Sequence, residues 1–244
     1  LVDDGKLQFK VKDISKDEIT TEVVVGGSIK SNKGLNLPDV VLNTNPLTSK
    51  DIEDLKFILN QEIDWIALSF VQKLKDVEEV KKYIGNKAGI IAKIEKPSAL
   101  KELNEIIEAC DGIMVARGDL GVELAPEEVP GIQKEIILKC RQAGKPVIVA
   151  TQMLESMIET PSPTRAEASD VATAVFDGAD AVMLSAETAI GSYPLETVSI
   201  MDRIITSAEN HIKINPGDGP QNLRIENFIY NAVSRSAVSL AESV

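Results

Sequence analysis

Five short apolar runs alternate with amphipathic segments between Thr48 and Ile205, and this rhythm constrains the fold more than any other feature of the chain. The runs are Trp65–Phe70, Ile90–Glu95, Ile113–Arg117, Pro146–Thr151 and Ala181–Ser185. Near-continuous apolar strands between helices require a parallel sheet whose faces are covered by those helices. The helical segments carry their own punctuation. Thr48 and Asp51 form a capping box, with Ile52, Leu55, Ile58 and Leu59 as the expected buried stripe. Asp76–Ile84 is helical, Ser98 opens a helix whose inner face is Leu100, Leu103, Ile106 and Ile107, and Gly144 closes the helix around Ile136 and Cys140. Thr164 and Glu167 cap the helix carrying Val171, Ala172 and Val175, and Pro194 opens one lined by Val198, Met201 and Ile205.

The ends of the chain differ. Leu7–Val11 and Ile19–Val25 alternate around a polar turn, as in a small antiparallel β unit. Pro38 and Pro46 mark the transition to the alternating region. The segment Asn215–Pro220 has linker composition, and Ile225, Ile229, Val233 and Leu240 outline one more amphipathic helix. These breaks divide the chain into 1–38, 39–213 and 214–244.

Composition excludes several functions. Lys and Arg total 26 and Asp and Glu 38, a net charge of −12, which disfavours nonspecific nucleic acid and anionic membranes. No apolar run approaches the roughly 20 residues of a membrane span. Cys110 and Cys140 are the only cysteines, too few for a disulfide framework, and the expected compartment is a reducing cytoplasm. His211 is the only histidine, so a His-triad zinc site is excluded and a surface role is expected for it. Trp65 and Phe70 read as packing, and Met153, Met157 and Met183 as core filler.

Polar residues gather at the C-terminal ends of the strands, where α/β folds place their chemistry. Lys93 and Glu95 are two apart and face the same way. They are either a salt bridge at the sheet end or a cation for a phosphoryl group beside a carboxylate for a metal. Arg117-Gly118-Asp119-Leu120-Gly121 is expected as a loop whose glycines admit a close ligand. Asp119 with Glu95 suits Mg²⁺, unless Arg117 and Asp119 pair and cap the strand. Thr151 offers a hydroxyl at the fourth strand end, or a cap. Ser185 and Glu187 repeat the two-residue spacing at the fifth.

Together these stretches resemble pyruvate kinase. The resemblance rests on Ile90-Ile91-Ala92-Lys93-Ile94-Glu95, on Gly112-Ile-Met-Val-Ala-Arg-Gly-Asp-Leu-Gly121 and on Gly144-Lys-Pro-Val-Ile-Val-Ala-Thr-Gln-Met-Leu-Glu-Ser-Met157. It rests further on Pro163-Thr-Arg-Ala-Glu167 and Gly178-Ala-Asp-Ala-Val-Met-Leu-Ser-Ala-Glu-Thr188, all in the family's order. It implies a (β/α)8 TIM-type barrel present only in part, as its last five βα units. Residues 1–38 would be a remnant of a small β lid domain, and 214–244 a linker and first helix of a C-terminal domain.

The implied activity is phosphoryl transfer from phosphoenolpyruvate to ADP, giving pyruvate and ATP at the end of glycolysis. Lys93, Thr151, Ser185 and Glu187 are the implied catalytic residues. Lys93, Arg117, Gly118, Asp119 and Thr151 bind substrate, and Glu95 and Asp119 hold Mg²⁺, which Mn²⁺ can replace. K⁺ is implied too, but its family ligands have no counterpart here. Arg165 matches a subunit contact of a homotetramer. Lys96 stands where many members have Asn. With five strands of eight, the 244 residues are expected not to turn over alone. Two other readings remain open on the residues: a metal-dependent barrel lyase or aldolase acting on phosphoenolpyruvate or pyruvate, and a non-catalytic binding module.

Overall fold

The computed structural model describes residues 1–2, 5–29, 31, 34–37 and 47–214. The expected break at Pro38 and Pro46, the linker Asn215–Pro220 and the helix through Ile225 to Leu240 lie outside them. The first unit is an antiparallel pair, β1 (Gln8–Ile14) and β2 (Ile19–Val25). β2 is exposed along its whole length and β1 over most of its own.

The alternating region forms a five-stranded parallel sheet. Its strands are β3 (Trp65–Leu68), β4 (Gly89–Ile94), β5 (Gly112–Ala116), β6 (Val147–Ala150) and β7 (Ala181–Met183). They lie side by side in chain order, so the winding direction never reverses among the described strands. The helices are α1 (Ser49–Ile58), α2 (Leu74–Ile84), α3 (Leu103–Ala109), α4 (Arg117–Glu123), α5 (Val129–Ala143), α6 (Arg165–Asp177), α7 (Ala186–Ala189) and α8 (Pro194–Ile214). Alternate residues of β4 (Ile90, Ala92, Ile94) are buried in the main core with Ile106 and Ile107 of α3 and Ile136, Ile137 and Cys140 of α5. Every residue of β5, the central strand, is buried. Both capping boxes form as the sequence requires, at Thr48 and at Thr164, and Gly144 ends α5 with a left-handed φ of 67°.

One device recurs at the N-terminal end of the sheet. The Asp111 N–H donates to the Ile90 carbonyl at 2.9 Å, and its carboxylate accepts from the Ile90 N–H at 2.8 Å. Asp180 repeats this with Val147, at 2.9 and 2.8 Å. A single aspartate ahead of β5, and another ahead of β7, thus pairs with both backbone groups of the preceding strand. This fixes register before the ladder begins.

Several expectations need correction. The segment from Arg117 is the helix α4 rather than a loop, because Leu120 is buried and anchors one turn. Ser98 lies inside a 3₁₀ turn (Pro97–Glu102), and α3 starts only at Leu103. Trp65 packs its ring over Gly89 of β4 yet is 50% exposed, and Phe70 is 53% exposed, since β3 is an outer strand with no described neighbour beyond it. Ile58 is exposed and only Leu55 of its stripe is buried. Val198 is exposed, and α8 instead buries Thr197, Met201 and Ala208. Met153 and Met157 are buried filler, whereas Met183 is half-buried. His211 is exposed and lies against Phe176, ring centroids 6.0 Å apart. Both cysteines are free, and burial pushes the Cys110 thiol up to about 11 and that of Cys140 to about 12, so neither is a reactive thiolate at neutral pH. No helix among the described residues is long and apolar enough to cross a membrane.

Candidate active site

The polar strand ends meet along the C-terminal edge of the sheet, in the order Ser69, Lys93 with Glu95, Arg117 to Asp119, Thr151, and Ser185 with Glu187. Lys93 is the penultimate residue of β4. Its Nζ lies 2.6 Å from a Glu95 carboxylate oxygen and donates to the Ser69 hydroxyl at 2.9 Å. Glu95 is 1% exposed, and its other oxygen accepts from the Phe70 N–H at 2.6 Å. A buried carboxylate must be compensated, and here an ammonium and a backbone amide share the task.

That amide comes from a strained residue. Phe70 has φ +54°, a left-handed value that is an outlier for a bulky side chain and ends β3 two residues sooner than its apolar run suggests. Among the described residues, Thr151 and Gln152 are the other non-glycine residues with positive φ, at 69° and 55°. Such conformations cost of order 1–3 kcal/mol each and persist only where the surroundings dictate them.

At Thr151 those surroundings are the start of α4. The Gly118 N–H donates to the Thr151 hydroxyl at 2.7 Å, and the hydroxyl donates to the Ala150 carbonyl at 2.6 Å. A Cβ at Gly118 would stand 3.3 Å from that hydroxyl, so position 118 has little room for a side chain. Arg117 grips the Thr151 carbonyl through Nε at 3.2 Å and a terminal nitrogen at 2.7 Å. Its other terminal nitrogen binds both oxygens of Asp170 in α6, at 2.8 and 2.6 Å. Asp119 follows in the first turn of α4, half-buried.

Glu187, also buried, accepts from the Ser185 N–H at 2.7 Å and from the Leu154 N–H at 3.3 Å, joining the end of β7 to the segment after β6. The structure thus joins three groups of expected residues: Lys93 with Glu95, Arg117 and Gly118 with Thr151, and Ser185 with Glu187. Sequence reasoning missed the Phe70 amide and Asp170. Asp170 lies 53 residues from Arg117, and nothing local marks it. Ser69 lies at the end of the first apolar run, and nothing local marks it as the partner of Lys93.

A cleft of about 340 Å³ opens beside this edge, lined by Arg117, Gly121, Gln152 and Asp170 among others. A larger groove of about 710 Å³ between α6 and α8 contains none of the expected site residues. Glu167 braces the segment between Thr151 and α6, accepting from the Ser156 N–H and hydroxyl at 2.7 and 2.6 Å as well as from Thr164. Partial burial pushes its carboxyl up, but the hydrogen bonds from Ser156 and Thr164 outweigh this and hold it below its ordinary 4.5. Its stabilisation is therefore full above pH 4.5 and is lost as pH falls through the lower folded-state value. Glu167→Gln is expected to cost about 1–2 kcal/mol at pH 7. It should also flatten the acid limb of stability, read as urea midpoints between pH 3 and 7; an unchanged limb would refute the brace.

Comparison with known proteins gives the family. A family model described as pyruvate kinase, barrel domain, matches residues 1–198. A pyruvate kinase of Agrobacterium vitis is 56% identical over 216 residues, covering 88% of this chain and 45% of the relative. Pyruvate kinase 2 of Synechocystis is 50% identical over 246 residues, covering 98% and 42%. A pyruvate kinase of Clostridium perfringens is 52% identical over 219 residues, covering 88% and 46%. The chain spans somewhat under half the length of these curated relatives. The matched span takes in the β1–β2 unit, the whole parallel sheet and every residue of the polar edge, and on that match the chain belongs to the pyruvate kinase family.

Proposed function

We propose that this chain carries the metal- and phosphoryl-binding portion of an enzyme that transfers the phosphoryl group of phosphoenolpyruvate to ADP. The observation that carries the reading is the Lys93 ammonium 2.6 Å from the buried Glu95 carboxylate, at the strand edge that also bears Asp119. Phosphoryl transfer needs little covalent chemistry from the protein; it needs positioning and positive charge on the moving group.

Glu95 and Asp119 would hold Mg²⁺ or Mn²⁺. One Glu95 oxygen meets the Lys93 ammonium and the other the Phe70 amide, and each keeps a lone pair for a metal. No three acidic, histidine or cysteine side chains converge among the described residues. A cation here would draw its remaining ligands from substrate oxygens and water, the usual habit of Mg²⁺. Bound there, the ion supplies charge neutralisation at the phosphoryl oxygens. Lys93, steadied by Ser69, offers a second cation to the group in flight.

The Gly118 and Asp119 backbone and the Thr151 hydroxyl would serve the substrate carboxylate, the Gly118 N–H and the hydroxyl exchanging their bonds to Thr151 and Ala150 for bonds to it, with Arg117 holding Thr151 in place. As the phosphorus–enol oxygen bond breaks and the bond to the terminal ADP oxygen forms, the enolate takes one proton at carbon. We assign to Ser185 and Glu187 the relay that would pass this proton from water to the enolate carbon. The strand order, which never reverses among the described strands, supports membership of a (β/α)8 barrel, with 1–38 belonging to a lid. A homotetramer with Arg165 at a contact, a K⁺ requirement met by other residues, and a cytoplasmic, glycolytic setting belong to the same reading.

Mn²⁺ titration followed by electron paramagnetic resonance tests it. Phosphoenolpyruvate is expected to tighten Mn²⁺ binding at least about fivefold, a coupling of about 1 kcal/mol, and Glu95→Gln to abolish it. Mn²⁺ binding indifferent to both would overturn the proposal.

A further inference from the structure

Next to the site lies an ion pair to which the mechanism gives no task. Lys96 follows Glu95 directly, and its ammonium pairs with the carboxylate of Glu123, the last residue of α4. The two side chains are 11% and 3% exposed. Buried pairs contribute little net stability, because desolvation offsets their attraction; their best use is to fix geometry. The geometry here is specific. Lys96 is one residue from Glu95, and Glu123 is four residues, about one helical turn, beyond Asp119. The pair therefore ties the segment ending in one candidate metal ligand to the helix that presents the other.

A third element joins at the same carboxylate. The Asn36 side-chain amide donates to Glu123 at 3.5 Å, and the Asn36 backbone N–H donates to the Leu1 carbonyl at 2.8 Å. Val2 in turn bridges Leu7 and Leu35, at the base of the β1–β2 unit. A Cβ at Gly5 would stand 3.7 Å from Val122, so this base rests on the last turn of α4.

We propose that Lys96 and Glu123 are a positioning pair that sets the spacing of Glu95 and Asp119 and links it, through Asn36, to the base of the β1–β2 unit. The proposal rests on Glu95 and Asp119 being the metal ligands.

The test uses Lys96→Met/Glu123→Leu, which removes both charges and leaves none stranded, together with Lys96→Arg. In the double variant Mn²⁺ affinity, measured with the metal alone, is expected to fall about tenfold, the usual effect of losing support behind a ligand. In metal-free protein the Phe70 amide, which reports on Glu95, should exchange about tenfold faster, while Ile113 and Val149 in the sheet keep their protection. Lys96→Arg should keep both readouts within about threefold of wild type, since it retains the charge. If the double variant does not fold, Glu123→Gln takes its place with the same two expectations. Wild-type Mn²⁺ affinity and Phe70 exchange in the folded variant overturn the positioning role, and if Glu95→Gln still abolishes Mn²⁺ binding the metal site itself stands. Mn²⁺ binding that survives Glu95→Gln overturns both.

Discussion

Arg117→Ala is expected to lower the unfolding free energy by about 3 kcal/mol, the low end of the loss on breaking a buried pair, because Asp170 is partly exposed. The guanidinium is 10% exposed and the Asp170 side chain 35%. Alanine would strand the carboxylate and release the Thr151 carbonyl, which receives two of the arginine's hydrogen bonds. Thr151 would then lose the grip that keeps its backbone at positive φ, and its hydroxyl would leave the Gly118 amide. Stability and substrate binding should fall together. Lysine is expected to recover little, since one ammonium cannot span Asp170 and the Thr151 carbonyl as a planar fork does. Urea titration of both variants checks this, and a loss below about 1 kcal/mol in Arg117→Ala would show that Thr151 is held by other means.

Lys93→Met should act on chemistry more than on folding. In the protein that carries this chain, phosphoenolpyruvate-dependent ATP formation is expected to fall about 10³-fold, the effect of removing one preorganised charge from a transition state. The loss should appear in kcat, with Mn²⁺ affinity retained, because Glu95 and Asp119 remain. The variant also leaves the buried Glu95 carboxylate with the Phe70 amide alone, so a stability loss of about 3 kcal/mol accompanies it, the low end for breaking a buried pair because the amide still binds the carboxylate. Urea midpoints separate the two effects. Lys93→Arg should remain impaired, as a guanidinium does not reproduce a compact ammonium between Ser69 and Glu95. Activity within tenfold of wild type in a folded Lys93→Met protein would remove Lys93 from the reaction.

The sheet was legible because its signals are local. Unbroken apolar runs set β4 and β5, and the Thr48 and Thr164 boxes and Gly144 set three helix ends. The pairing of Lys93 with Glu95 was legible as well, since a two-residue spacing on a strand leaves one geometry. What escaped reading depends on distant partners. Asp170 meets Arg117 across 53 residues, and Lys96 meets Glu123 across 27. Positive φ at Phe70 and Thr151 has no sequence marker, because neither is glycine; the hydrogen bonds of Glu95 and Arg117 impose it. Trp65 and Phe70 misled for a related reason. Large aromatic residues imply burial only when a neighbouring element covers them, and β3 is an outer strand. Arg117–Gly121 reads as a loop because its two glycines disfavour helix, and the burial of Leu120 overrides that preference.

The aspartates ahead of β5 and β7 carry a consequence for how such a molecule changes over time. Alignment of the strands is written at one end by Asp111 and Asp180, and the polar side chains gather at the other. A lineage can therefore exchange rim side chains without slipping any strand past its neighbour. The same separation gives protein engineers a floor to leave untouched while the opposite margin is rewritten.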